Sequence, residues 1–290
     1  MTAIPLDHAR PLTASGNLRR RQRVSRLAEG TATAAAVTAV GLLGVLLWSV
    51  VSRGASVLSL DFLTSEQTGI APEILGTGLI VGAATVMAMP IGVLVALFTT
   101  EFAAPRPTRA IRLALDLLNG LPSIVVGLFV FGLLVVGHGQ SGFSGSVALA
   151  VIMLPLIARS SEEVLALVPR SISEAADALG VSRWRTVLGV MLPTALGGII
   201  TGTVLAVARA AGETAPLFLV DSIYDPQKIS FNLFGPVPNI PVSIFQASEA
   251  ADPNGFARAW GEAFVLLVFI LVSGLAARIL FARSRAKISG

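Results

Sequence analysis

Residues 117–158 read LLNGLPSIVVGLFVFGLLVVGHGQSGFSGSVALAVIMLPLIA, 42 consecutive positions without Asp, Glu, Lys or Arg. About 20 apolar residues cross the hydrocarbon core of a bilayer. The run is therefore too long for one helix and long enough for two. The turn that divides it lies in its middle, at Gly137–Ser146 (GHGQSGFSGS), polar and rich in glycine.

The same signal recurs outward from this stretch. Gly30–Ser52, Ile74–Thr100 and Thr186–Ala208 carry no charge, and a last apolar stretch, about Ala259–Phe281, has Glu262 near one end and Arg278 near the other. An all-α polytopic membrane protein is predicted, with six helices at about 31–52, 74–99, 115–136, 146–168, 189–217 and 259–281. Composition agrees: 54% of residues are hydrophobic and 13% charged, with mean hydropathy +0.79. Soluble domains carry roughly 25% charge, so a soluble enzyme and a disordered chain are both excluded. The first apolar run exceeds the roughly 7–15 residues of a signal-peptide core and reads as a retained helix. The absence of cysteine removes disulfides and thiolate sites, and two distant histidines, His8 and His138, make no metal centre.

Lys and Arg fix the orientation, because they accumulate on the cytoplasmic side. With the N-terminus inside, sixteen of the 21 fall on the inner face, among them the Arg19–Arg26 run, Arg106, Arg109, Arg112, Arg183 and Arg185. Arg53, Lys228 and Arg258 fall outside, and Arg159 and Arg209 fall within spans. Both termini are thus placed in the cytoplasm of a cell bounded by this plasma (inner) membrane. Anionic lipid accounts for the basic pI, and no nucleic-acid partner is implied. The division is a basic tail over 1–30, a membrane domain over 31–282 with a cytoplasmic loop at about 169–189, and a short tail over 283–290. Two larger segments lie outside, at about 53–73 and 218–258, and no P-loop is present.

An ionised arginine within a span costs at least about 2.5–3.5 kcal/mol, so Arg159 and Arg209 face protein or a water-filled path. Read along ideal helices, their depths differ by only several ångströms. Glu162 and Glu163 stand at i+3 and i+4 from Arg159, and Glu213 at i+4 from Arg209. Two ion pairs pinning helices together is one reading. A polar path for an anion, with guanidinium groups offering bidentate contacts to oxyanion oxygens, is the other. The two are compatible if a carboxylate holds the arginine until the anion displaces it. Arg159 and Arg209 against Glu162, Glu163 and Glu213 sum to a negative lining, which would repel an anion unless burial keeps a glutamate protonated, Glu163 faces elsewhere, or, the favoured reading, another chain adds positive charge. Asp116 reads as a helix cap or a partner of Arg112. Gly76, Gly78, Gly197, Gly198 and Gly202 read as close-packing positions.

The loop between the fourth and fifth helices reads Glu174-Ala175-Ala176-Asp177-Ala178-Leu179-Gly180, then nine residues to Val190-Met191-Leu192-Pro193. Ser173 is placed to cap a short helix and Gly180 to end it. Such a helix either merely joins two spans or makes a docking knob on the inner face. The spacing EAA, three residues, G, nine residues, an aliphatic residue, any residue, LP resembles the coupling-loop signature of ABC importer permeases. On that resemblance Glu174, Ala175, Ala176 and Gly180 contact a separate ATPase subunit. NGLPSIVVGLFVF (119–131), PLIARSSEE (155–163) and ARAAGETAPL (208–217) are together similar to the phosphate-importer permeases of the PstA type, over roughly residues 30 to 280.

The resemblance implies a type I importer permease, a non-catalytic subunit forming half of a path for inorganic phosphate, with Arg159, Glu162, Glu163, Arg209 and Glu213 along it. It implies a second related permease, an ATPase dimer that carries ATP and Mg, and an extracytoplasmic phosphate-binding protein. No cofactor is expected on this chain. The rival substrates are sulfate, molybdate or phosphonate. An intramembrane hydrolase would need a nucleophile–base pair or metal ligands at mid-span, where there is no histidine or aspartate. A proton-driven carrier using Glu162 or Glu213 is a third possibility.

Overall fold

A computed structural model describes residues 16–288 except 224, 227, 250 and 251. His8, Arg10 and the rest of 1–15 lie outside the described residues. The described chain is almost wholly helical and contains no strand. Five helices are long and apolar enough to cross a membrane, and a bent pair makes six if counted as one span.

Helix α1 (Gly16–Gly54) begins before residue 31, so Arg20, Arg21, Arg23 and Arg26 ride on its first turns. Residues 1–52 form a unit of their own. The apolar window of α1 has no buried residue, and Val37, Leu42 and Val45 are exposed.

The second unit starts at Arg53. A short α2 (Leu60–Thr64) is capped by Ser59, whose hydroxyl accepts the Phe62 amide. Helix α3 (Ala71–Leu97) crosses the membrane and runs into a π-helical turn, Phe98–Phe102. Helix α4 (Pro105–Gly120) then meets α5 (Ser123–Val130), itself followed by a π-helical turn at Phe131–Val135.

This corrects the third predicted span: one helix over 115–136 is broken, and the axis bends by 99° between α4 and α5. The cause is local. Leu121, before Pro122, is extended (φ −70°, ψ 136°), because the proline ring disfavours α backbone in the residue that precedes it. The apolar period ran through a break that composition does not register.

Helix α6 (Gly142–Ala166) returns across the membrane, capped by Ser141. Two short helices, α7 (Arg170–Ala178) and α8 (Arg183–Thr186), lead through a π-helical turn at Val187–Met191 into α9 (Leu192–Ala210). The fifth predicted span ends here rather than at 217. The chain turns at Ala211–Thr214 and starts α10 (Ala215–Val220), with Pro216 in its first turn. Helices α11 (Ile240–Glu249) and α12 (Pro253–Ile288) complete the chain.

The core is a seam of α3, α6 and α9: Ile80, Ala84 and Ala88 meet Leu149, Met153 and Ile157, with Ala206 and Ala210 beside them. Small residues bring backbones together where dispersion, not water exclusion, drives packing. A Cβ on Gly202 would lie 2.1 Å from Ser160 Oγ, and one on Gly198 2.5 Å from Val164. Gly76 meets the Pro238 carbonyl, whereas Gly78 has open space around it and is no packing position within this chain.

Candidate functional site

Arg159 projects from α6 seven residues before its inner end. Its Nη1 donates to Glu162 Oε2 at 3.1 Å, one turn along the same helix. Its Nη2 donates to Asp116 Oδ1 at 2.5 Å and to the Arg112 carbonyl at 3.0 Å, both on α4. Glu162 is almost fully buried and is the hub: its Oε1 accepts the Thr99 hydroxyl and lies 3.5 Å from Arg112 Nε.

Three elements thus converge, because the break at Leu121–Pro122 lays α4 against the inner part of α6. Glu163, expected beside Arg159, is exposed and takes no part in this cluster. The excess negative charge expected from the sequence is therefore absent here. Arg112 and Arg159 are matched by Asp116 and Glu162.

The two carboxylates differ in kind. The Asp116 side chain is 64% exposed and Glu162 only 7%. Glu162 is the buried partner of Arg159, and Asp116 is the exposed one. Sequence reasoning missed Thr99, Arg112 and Asp116 as members of this cluster. Asp116, read as a cap or a partner of Arg112, is instead the partner of Arg159. Its position at the edge of the charge-free run was the available signal.

Arg209 lies in the last turn of α9 and its Nε is 3.8 Å from Glu213 Oε1. Glu213 follows the helix end, so their pairing is made across a turn rather than along a helix face. The Arg209 side chain is 56% exposed. Because Gly202 packs at the level of Ser160, Arg209 stands about 10 Å from Arg159 along the helix axis, toward the C-terminal end of α9, further than the several ångströms expected from straight helices. The two arginines do not share one site.

A second charged cluster lies at the N-terminal ends of α3 and α12. Arg258 Nη2 donates to Glu73 Oε1 at 2.7 Å and its Nε to Glu262 Oε1 at 2.9 Å. The Ser243 hydroxyl of α11 also donates to Glu262 Oε1, at 2.8 Å. Glu73 and Glu262 are fully buried. Arg258 and Glu262 stand at i and i+4, but nothing local in the sequence points from them to Glu73.

In the loop between α6 and α9, α7 carries Glu174 and Ala175 exposed and Ala176 half-buried. The helix starts at Arg170, so Ser173 lies inside it and is not its cap. Gly180 has φ +70°, and the Val181 amide returns to the Ala176 carbonyl at 3.0 Å. This is a Schellman-type stop, for which glycine is favoured. Behind it, Trp184 stacks on Phe102 with ring centroids 4.7 Å apart, and Arg183 Nη2 lies 3.8 Å from Glu101 Oε2.

Residues 88–286, which hold the inner cluster, the loop and Arg209, match the family model described as binding-protein-dependent transport system inner membrane component. The chain belongs to that family. Among permeases similar to it is the phosphate transport system permease protein PstA 1 of Mycobacterium tuberculosis (strain CDC 1551 / Oshkosh), 35% identical over 92% of this chain and 90% of that protein. The phosphate transport system permease protein PstA of Haemophilus influenzae is 36% identical over 81% of this chain and 86% of its own length. Solved structures show the fold at lower identity. A chain of a bacterial alginate ABC transporter superposes with TM-score 0.59 at 15% identity, covering 91% of this chain and 98% of that one. A chain of the MetNI methionine ABC transporter in an inward-facing conformation gives 0.56 at 19% identity, covering 78% and 99%. The permease fold is thereby shown, with five helices long and apolar enough to span among the described residues and a sixth span if the bent α4–α5 pair is counted as one.

Proposed function

We propose that this multi-pass membrane protein is the permease subunit of an ATP-driven importer of inorganic phosphate. The reading rests above all on 35% identity, across nine-tenths of both chains, to a relative named as a phosphate transport permease. The inner cluster supports it chemically. A tetrahedral oxyanion that displaces exposed Asp116 from Arg159 Nη2 gains a charge-assisted contact with guanidinium. Glu162 keeps the arginine in place as this happens.

Arg209 and Glu213 repeat the arrangement about two turns further out, with a more exposed guanidinium. The anion would meet Arg209 first and Arg159 second on its way inward, with both termini in the cytoplasm of the cell bounded by the inner membrane. Glu163, exposed and outside the cluster, is given no contact with the anion.

A second related permease would complete the path, and an extracytoplasmic phosphate-binding protein would deliver the substrate. A dimer of ATPase subunits would hold ATP and Mg and seat α7 through Glu174, Ala175, Ala176 and the Gly180 stop. Alternating access then follows from ATPase closure pushing on this loop.

The test is uptake of labelled phosphate by cells whose only such system contains this chain. Arg159→Gln and Arg209→Gln should each abolish uptake while the protein remains in the membrane. Excess sulfate, molybdate or phosphonate should not compete. Undiminished uptake by both variants, or competition by sulfate as strong as by phosphate, would overturn the reading.

A further inference from the structure

The π-helical turn Phe98–Phe102 touches both functional elements at once. Thr99 is buried on one side of it and donates its hydroxyl to Glu162, the hub of the inner cluster. Glu101 and Phe102, two and three residues on, meet the docking loop through Arg183 and Trp184. We propose that Thr99 is a positioning residue that ties the docking loop to Arg159, so that movement of the loop changes how Arg159 is held. The proposal rests on the function proposed above and adds the route by which the loop reaches the anion site.

Three observations carry it. The first is directness. From Trp184 to Phe102, along one turn of backbone to Thr99, then to Glu162 and Arg159, each step is a contact in the structure. The second is the character of the turn. A π-helical turn has poorer packing of its backbone than an α-helix and often marks a functional site. A second one, Val187–Met191, begins just after α8. Both can revert to α geometry with a shift of register, which turns a small push on the loop into a rotation of Thr99.

The third is that the remaining contact between loop and spans is apolar. Leu97, Leu165, Val187, Met191 and Ile199 form a buried cluster between α3, α6 and α9. Such packing transmits pressure without direction. The Thr99 hydroxyl is directional, and without it Glu162 Oε1 keeps, among the described residues, Arg112 Nε at 3.5 Å. Arg159 would still meet Glu162 Oε2 and the Arg112 carbonyl, but the carboxylate that holds it would no longer be fixed from the Phe98–Phe102 turn.

The experiment measures ATP hydrolysed per phosphate imported, using the whole importer reconstituted in proteoliposomes. Thr99→Val keeps the shape and removes the hydroxyl. A hydrogen bond to a charged group corresponds to roughly a tenfold bias or more, so Thr99→Val should raise the ratio by about tenfold, and Thr99→Ser should restore it. Arg183→Gln, at an exposed position, tests the other end of the same link without disturbing the core. It should raise the ratio as well, and the double variant should be no worse than the more impaired single one. If Thr99→Val does not insert, Arg183→Gln carries the test alone. A wild-type ratio in either variant, or effects that multiply in the double variant, would overturn the relay. Wild-type proteoliposomes that import no phosphate would instead overturn the proposed function.

Discussion

Arg258 and Glu73, separated by 185 positions in the sequence, are joined by a 2.7 Å hydrogen bond where the N-terminal turns of α3 and α12 meet. Glu262 shares the same guanidinium at 2.9 Å. Two fully buried carboxylates therefore depend on one cation, through Oε1 of each, and Glu73 Oε2 and Glu262 Oε2 have no hydrogen-bond partner among the described residues.

Removing that cation should be costly. Breaking a buried ion pair by deleting one member typically costs about 3–5 kcal/mol, whereas replacing the whole group by apolar residues is often neutral. Arg258→Met should lower the thermal unfolding midpoint in detergent, and combining it with Glu73→Met and Glu262→Met should recover most of the loss. An unchanged midpoint for Arg258→Met alone would show that the cluster does not hold α3 to α12.

The α6–α9 seam gives a paired test. A methyl group at residue 202 would meet Ser160 Oγ at 2.1 Å, and overpacking of this kind costs about 1–3 kcal/mol. Gly202→Ala should destabilise the protein, and Ser160→Gly should rescue it. Additive losses in the double variant, measured by the same unfolding assay, would argue against direct contact.

Gly180 is constrained by backbone alone, since nothing lies within 4 Å of the place where its Cβ would be. At φ +70°, a β-branched side chain carries a penalty of about 1–2 kcal/mol. Gly180→Val should leave insertion unchanged and lower stability by no more than that penalty. ATP hydrolysis by the assembled importer should continue while phosphate uptake falls several-fold. Normal uptake would detach this stop from coupling.

Asp221 lies just beyond α10, outside the helices long enough to span the membrane. Burial pushes its carboxyl up from 3.8 to about 7, against the lowering effect of the Val237 amide that donates to Oδ1 at 2.9 Å. In the window between those values the folded chain keeps a proton that the unfolded chain has released. Stability therefore falls as pH rises through this window and levels off above about 7. Asp221→Asn should flatten this slope and stabilise the protein at pH 8 by on the order of a few kcal/mol, with little change near pH 4. Parallel pH profiles for the two proteins would contradict this.

Much of the architecture was legible because the bilayer imposes a length and a polarity that residues report locally. The charge-free runs located the spans, and Gly180 marked the stop of the short helix α7. Arg159 and Glu162, one turn apart, could be paired from sequence alone. Asp116 and Thr99 could not, because each reaches that pair from a different element across 43 and 63 positions. The third span was misread because hydropathy sums over residues and is blind to the one peptide, before Pro122, where the axis turns.

By itself, then, the amino-acid order determined that this chain is a set of membrane helices and which arginines must find company. Those follow from transfer free energies and helix periodicity, which act within a few turns. Tertiary structure alone decided what that company is: α4, bent against α6, supplies Asp116 to Arg159; the π-helical turn after α3 supplies Thr99 to Glu162, and α3 supplies Glu73 to Arg258. Burial forces the choices at Glu162, Glu73 and Glu262, since a charge removed from water is retained only where chain distant in sequence brings it a counter-charge or a donor.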